Sequence, residues 1–303
     1  MIKLFNTPNY KIKTKIFTNL LHDEVVNQFE ENFAKYVGAK YACMANSASS
    51  LIFLALLKYK TTINIPSIIP PVVPNVIVNS GNVINFYDDI NWVGSYYKLH
   101  DNIYDSAQQV SRNQYRLLND DNAIMIFSFY PTKPVPSCDG GMVVSNNKDL
   151  VDYFKIMTMN GMQYNQDSWK RKQITAGYKM HPNSIQAYIA NKNLSNLDEK
   201  NERLNEIKDI YNQEFNYTNT SNHLYRIRVS DNNNFIEKMK LKGIQCGIHY
   251  GCCHDKLFYT NKKFKLPLSE LEEKITVSLP FNETLSRKQV LRVIGNVKKL
   301  ENI

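Results

Sequence analysis

The run Ile124-Met125-Ile126-Phe127-Ser128-Phe129-Tyr130-Pro131-Thr132-Lys133, followed by Asp139-Gly140-Gly141, decides how the rest of the chain is read. Residues 123–128 are apolar or small and are bounded by turn formers, the pattern of a buried strand. Pro131 and Pro134 bracket Lys133 in a tight loop at the strand end, and a second strand resumes at Gly141. A lysine in such a loop has two readings. It is a solvated side chain, or it is a Schiff-base nucleophile. Its company in the sequence bears on the choice.

Upstream, Ile103-Tyr104-Asp105-Ser106-Ala107-Gln108 puts a carboxylate at the end of another apolar run. Asp105 reads as a helix N-cap, or as a buried anion that keeps a pyridinium nitrogen protonated. Farther up, Asn46 or Ser47 caps a helix that begins at Ala48 and Ser49 and continues through Leu51, Leu54, Ala55 and Leu56. Free N–H groups and the positive dipole end at such a start favour a phosphate.

Outward from these motifs the spacing predicts an α/β layered domain. Leu21, Val25, Phe29 and Phe33 recur every four residues and predict a helix over 20–36. Short β-type runs follow at 41–45, 63–65, 83–87, 103–104, 123–128 and 141–145, several of them separated by helical patterns. Beyond Ile185 the apolar spacing predicts one long helix or two consecutive ones. A strand at 224–229, a helix at 234–242, a strand near Ile248 and a last helix from Ser286 to about Val297 complete a smaller α+β domain. The expected division is a large domain over 1–200 and a small C-terminal domain over 201–303.

Composition bounds the class. A length of 303 residues suggests about two domains at ~150 residues each. The hydrophobic share of 43% and charged share of 21% exclude a disordered, collagen-like or coiled-coil chain. The most apolar stretch, 63–78, is interrupted by Asn64, Pro66, Pro70, Pro71, Pro74 and Asn75 and is too short to span a membrane. Residues 1–6 lack the apolar core of a signal peptide. Five scattered cysteines suit the reducing cytoplasm better than a disulfide framework. The net charge of +9 favours an acidic partner, and the dispersion of the lysines favours a small molecule over nucleic acid. His249, Cys252, Cys253 and His254 can be drawn as a zinc site, but adjacent cysteines rarely share one metal, so no metal is expected. There is no Gly-x-Ser-x-Gly elbow, no Gly-x-Gly-x-x-Gly and no Gly-rich lysine loop.

At these residues the chain resembles the DegT/DnrJ/StrS family of sugar aminotransferases, fold type I enzymes that use pyridoxal 5'-phosphate. Asn46 to Leu56 is similar to the family's phosphate loop and following helix. Asp105-Ser106-Ala107-Gln108 is similar to its Asp-x-Ala-Gln signature, and Ser128-Phe129 through Lys133 to Gly141 to its Ser-Phe-x-x-x-Lys and Glu-Gly-Gly segments. Gly177-Tyr178, Ile185-Gln186-Ala187, Gly243-Ile244, His249-Tyr250 and Ser278-Leu279-Pro280 match later landmarks. The resemblance implies a large α/β domain with a mainly parallel central sheet and a small α+β domain. It implies Lys133 as the cofactor-holding, proton-moving lysine, Asp105 at the pyridine nitrogen and Gln108 at the ring. Ala48, Ser49 and Ser128 would hold the phosphate. Lys179 and His181 would reach a neighbouring subunit's phosphate in a homodimer with shared sites. Tyr130, His249 and Tyr250 would face the substrate. The implied reaction moves an amino group from an amino acid, usually L-glutamate, to a keto group of a nucleotide-linked deoxysugar, with no role for nucleic acid or membrane. A sugar dehydratase of the family would carry histidine where Lys133 stands; a non-catalytic homologue that binds sugar or partner is the other alternative.

The departures are local. Ala48-Ser49 stands where relatives carry Gly-Thr, and Pro70 where an aromatic often stacks on the ring. Residues 89 and 105 are only 16 apart, where relatives carry several tens more. Part of a βα unit beside the site is expected to be missing.

Overall fold

The computed structural model describes residues 1–303 except 8, 22, 165, 166, 217 and 303 and the side chain of 168. Asp23 starts helix α1 (Glu24–Val37) by accepting the Val25 N–H, and Gly38, left-handed at φ 81°, ends it. Val25, Phe29 and Phe33 are buried along one stripe, whereas Leu20 and Leu21 lie before the cap and are exposed. The expected helix therefore starts later than its apolar periodicity, and residue 22 is outside the described residues.

Strand β1 (Tyr41–Ala45) leads into α2 (Ala48–Leu56). Strands β2 (Thr62–Pro66) and β3 (Val83–Tyr87) pair in parallel across α3 (Val72–Asn79). Pro74 is tolerated there because the first turn of a helix has no use for its N–H. A hairpin of β4 (Tyr97–His100) and β5 (Ile103–Asp105) comes next, then β6 (Ile124–Ser128) and β7 (Gly141–Ser145). The central sheet has the order β1-β7-β6-β5-β4. β1, β5 and β6 run one way; β4 and β7 run against them. The reversal of β4 has a plain cause. Only Asp101 and Asn102 separate it from β5, and so short a link joins antiparallel neighbours alone. Beyond β4 lies β2, so the parallel pair extends the layer on that side.

Alternation across the pleat splits the core in two. Cys43, Ala45, Ile124, Ile126 and Val143 pack with α2, α3 and α4 (Lys148–Thr158) on one face. Met44, Met125, Phe127, Met142 and Val144 pack with α1 and α5 (Ser184–Ser195) on the other. Two consecutive helices follow residue 185. The second, α6 (Leu197–Phe215), begins with Leu197 in this layered core and continues with Leu204, Ile207 and Tyr211 in a third core.

That third core holds the antiparallel pair β8 (Tyr225–Arg228) and β9 (Thr276–Leu279), with α7 (Asn232–Leu241), α8 (Pro267–Ile275) and α9 (Arg287–Glu301) around it. Ile2 is buried in it and bridges to Ile244, so the N-terminal residues belong with the C-terminal layer. No strand forms at Ile248; only a single bridge, Gly247 to Ser278, is made there.

Candidate active site

The ends of three strands meet at one corner. Gly141 pairs with Ser128 on one side and with Ala45 on the other. A Cβ on Gly141 would lie 2.4 Å from the Ala48 nitrogen, so α2 begins directly against a residue that has no side chain. The Ser47 hydroxyl accepts the Ser50 N–H at 3.2 Å, leaving the N–H groups of Ala48 and Ser49 outside the helical ladder. Ala48, Ser49 and the buried Ser128 thus share this corner, a geometry that suits an anion.

Past Ser128 the chain turns, and the Lys133 N–H donates to the Tyr130 carbonyl at 2.8 Å. Tyr130 stands outward, 53% exposed. The Lys133 side chain keeps some contact with solvent, yet surrounding protein pushes its amine down to about 8, against the pull of Asp105. Loss of charge is the expected response of an ammonium enclosed by protein.

Asp105 is 5% exposed. One carboxylate oxygen accepts the Ala107 N–H at 2.9 Å and the other accepts the Tyr97 hydroxyl at 3.0 Å. Burial raises its pKa, and these two donors and the Lys133 charge oppose that rise. Burial also lifts the phenols of Tyr97 and Tyr250, with Asp105 adding to both. His249 is held neutral, lowered to about 4 by burial and then by the Lys133 charge, and its ring nitrogen lies 2.9 Å from the Ser278 hydroxyl. Asp105, Lys133, His249 and Tyr250 therefore form one electrostatic group. Gln108 is buried beside it, and its carbonyl oxygen accepts the Gly94 N–H at 2.9 Å. The same glutamine lines a groove of about 450 Å³ with Gly94, Ser95, Pro134 and Ser221.

Lys179 and His181 do not join this group. Lys179 is exposed, and His181 opens into a different cavity, of about 410 Å³, with Glu30 and Lys155. The segment that carries them nonetheless runs beside the α2 start, where the Asn46 N–H donates to the Met180 carbonyl. Cys252, Cys253 and His254 are buried elsewhere: the Cys253 thiol donates to the Ile69 carbonyl, and a His254 ring nitrogen lies 2.5 Å from the Ser67 hydroxyl.

Three residues of the site belong to no sequence motif: Trp92, Gly94 and Tyr97. All lie between Asp89 and Asp105. Trp92 is one of only two tryptophans in the chain, and that rarity was the available hint. Its indole N–H donates to the Ile68 carbonyl, and its ring packs 4.6 Å from Tyr97 and parallel to Tyr250.

The corner and its neighbours offer an anion cradle, a lysine that is partly neutral near pH 8 and a buried carboxylate. Comparisons with known proteins agree with that inventory. A UDP-4-amino-4,6-dideoxy-N-acetyl-beta-L-altrosamine transaminase of Campylobacter jejuni is 25% identical over 89% of this chain and 90% of its own. An uncharacterized protein of Methanocaldococcus jannaschii is likewise 25% identical, over 90% of this chain and 89% of its own. Among solved structures, Helicobacter pylori PseC, an aminotransferase involved in the biosynthesis of pseudoaminic acid, shares the fold. Its TM-score is 0.81 at 18% identity, covering 99% of this chain and 100% of that one. S. venezuelae DesV shares it at a TM-score of 0.78 and 20% identity, covering 96% and 92%. The sequence model of the DegT/DnrJ/EryC1/StrS aminotransferase family matches residues 103–298. This chain belongs to the DegT/DnrJ/EryC1/StrS aminotransferase family.

Proposed function

We propose that this chain is a pyridoxal-phosphate-dependent aminotransferase that delivers an amino group from an amino acid, L-glutamate in the first instance, to a keto group of a nucleotide-linked deoxysugar. The observation that carries the reading is Lys133. It sits in the loop that follows β6, with its amine lowered to about 8, within electrostatic reach of the buried Asp105. A sugar dehydratase of the family would need histidine there.

The residues fit the cofactor. Asp105 is a buried carboxylate that no cation touches among the described residues, which suits a protonated ring nitrogen. The α2 start with Ala48 and Ser49, and Ser128 beside it, suits a phosphate. Gln108 would sit at the ring. Bound there, pyridoxal phosphate supplies an electron sink for the substrate carbon that loses its proton. Lys133 Nζ would hold the cofactor, and a nitrogen titrating near 8 could take and return that proton close to neutral pH. Asp105, whose two protein partners both donate, would hold the ring nitrogen. His249 and Tyr250 border the substrate side and Tyr130 stands at the mouth.

Three further readings belong to this proposal. Lys179 and His181 reach the phosphate of a second copy in a homodimer, which accounts for their place outside the group in one chain. The division into domains falls at residue 200, inside α6. The enzyme works in the cytoplasm, where five free cysteines remain reduced. No helix among the described residues is long and apolar enough to cross a membrane.

The test is a spectrum. Protein purified with pyridoxal phosphate should show a visible absorption band that L-glutamate bleaches and that Lys133→Ala lacks. No band ends the cofactor reading, and a band that L-glutamate leaves untouched ends the aminotransferase reading.

A further inference from the structure

The shortened stretch is pinned to the site by hydrogen bonds of one polarity. The Tyr97 hydroxyl donates to one oxygen of Asp105, directly across the β4–β5 pair. Gly94 donates its N–H to the Gln108 carbonyl. The segment is itself clamped: Trp92 donates to the Ile68 carbonyl, and the Ser221 hydroxyl donates to the Gly94 carbonyl at 2.9 Å. Gly94 has φ 92°, and a Cβ on it would come within 2.6 Å of that hydroxyl, so glycine alone fits the clamp.

These bonds fix what the two side chains can still do. A carboxylate has about four acceptor positions, and Ala107 and Tyr97 occupy two of them. Both neighbours donate, so the ionised form of Asp105 is the form they satisfy, and its remaining positions can only accept. Gln108 has the opposite bias. Because a peptide N–H faces its carbonyl oxygen, its amide nitrogen is turned away and presents donors.

Resting on the cofactor reading above, we propose that residues 92–97 act as a positioning element for the site. Tyr97 holds Asp105 as an ionised acceptor, and Gly94 holds Gln108 as a donor, for one ring ligand with an N–H and an anionic oxygen. Tyr97 is a positioning residue, acting through Asp105, and it keeps its hydrogen bond when the ring is bound.

The experiment is a double-mutant cycle on binding, in the full chain carrying Lys133→Ala so that no covalent bond forms. Pyridoxamine phosphate is titrated at pH 7.5 and read by intrinsic fluorescence. Tyr97→Phe should weaken binding by about tenfold, the scale of one hydrogen bond to a charged group. The same change should have no effect once Asp105→Asn is present, an outcome that loss of fold would not give. Replacing Tyr97 by a fluorinated tyrosine keeps the shape and strengthens donation, and it should bind at least as tightly as the parent. Equal or tighter binding by Tyr97→Phe overturns the proposal, because Tyr97 then occupies the place of the ring. A tenfold loss that persists with Asp105→Asn also overturns it. A parent protein that binds no pyridoxamine phosphate removes the cofactor reading itself, and this proposal with it.

Discussion

Residues 124–141 and residues 88–105 face the same carboxylate and lysine, yet they are held by different forces. In the first stretch, every residue of β6 is buried, and so is every residue of β7 that follows it. Layers of apolar side chains on both faces fix its place, and the lysine loop hangs from a rigid edge. In the second stretch the strands are four and three residues long, with an irregular register between Lys98 and His100. Trp92, Val93, Tyr97, Leu99 and Ile103 reach the core from it, and individual donors, Tyr97, Trp92 and Gly94, fix the turn between them. Asp88 adds another anchor by accepting from the Ser269 N–H and hydroxyl of α8, which keeps its carboxyl below the usual range in spite of some burial. A region defined by burial tolerates little change of volume. A region with short strands and single hydrogen bonds at its turn can be changed one bond at a time.

The comparison can be broken most sharply at Gly141. A methyl group there meets backbone atoms of Ser47 and Ala48, none of which can rotate away. Gly141→Ala should cost about 3 kcal/mol, the upper end for overpacking, measured as the fall in unfolding free energy in urea. It should also weaken phosphate binding at α2. A well-folded variant with unchanged affinity would show that this corner is as adaptable as the hairpin.

Asp105→Asn tests how strongly the two stretches are coupled. The Asp105 charge raises the Lys133 amine while burial lowers it, so without the charge the amine should titrate below about 8. The rate at which the protein takes up pyridoxal phosphate rises with pH as the amine becomes neutral. Its midpoint should therefore move to lower pH in the variant, seen by stopped-flow absorbance. A midpoint that stays in place means that the two groups do not sense each other.

The smallest effect is expected in the stretch 88–105. Trp92→Phe keeps an aromatic ring but leaves the Ile68 carbonyl without its donor. The expected cost is about 1–2 kcal/mol in urea unfolding. A cost as large as that of Gly141→Ala would mean that this stretch is held by packing after all.

Legibility in the sequence follows the same line. The helix stripe Val25, Phe29, Phe33 and the apolar runs of β6 and β7 were readable because burial on a face imposes a period. The start of α2 at Asn46 or Ser47 was readable because a side-chain oxygen there can meet the backbone a few residues on, and Ser47 is the one that does. Lys133, Asp105 and Gln108 were readable through an ordered motif. Tyr97, Gly94 and Trp92 were not, since a hydrogen bond to a residue distant in sequence leaves no period and no local pattern. The bridge at Gly247, expected as a strand, failed for a related reason: the backbone there pairs with Ser278 alone.

The sequence by itself determined the layers, the order of the motifs and the chemical types at the site, because these rest on local spacing and on the sidedness of strands and helices. Tertiary structure alone decided the separation of Lys179 and His181 from Lys133, and the donors that hold Asp105 and Gln108. Those features depend on which distant groups come within about 3 Å of each other. That is settled by how the whole chain packs.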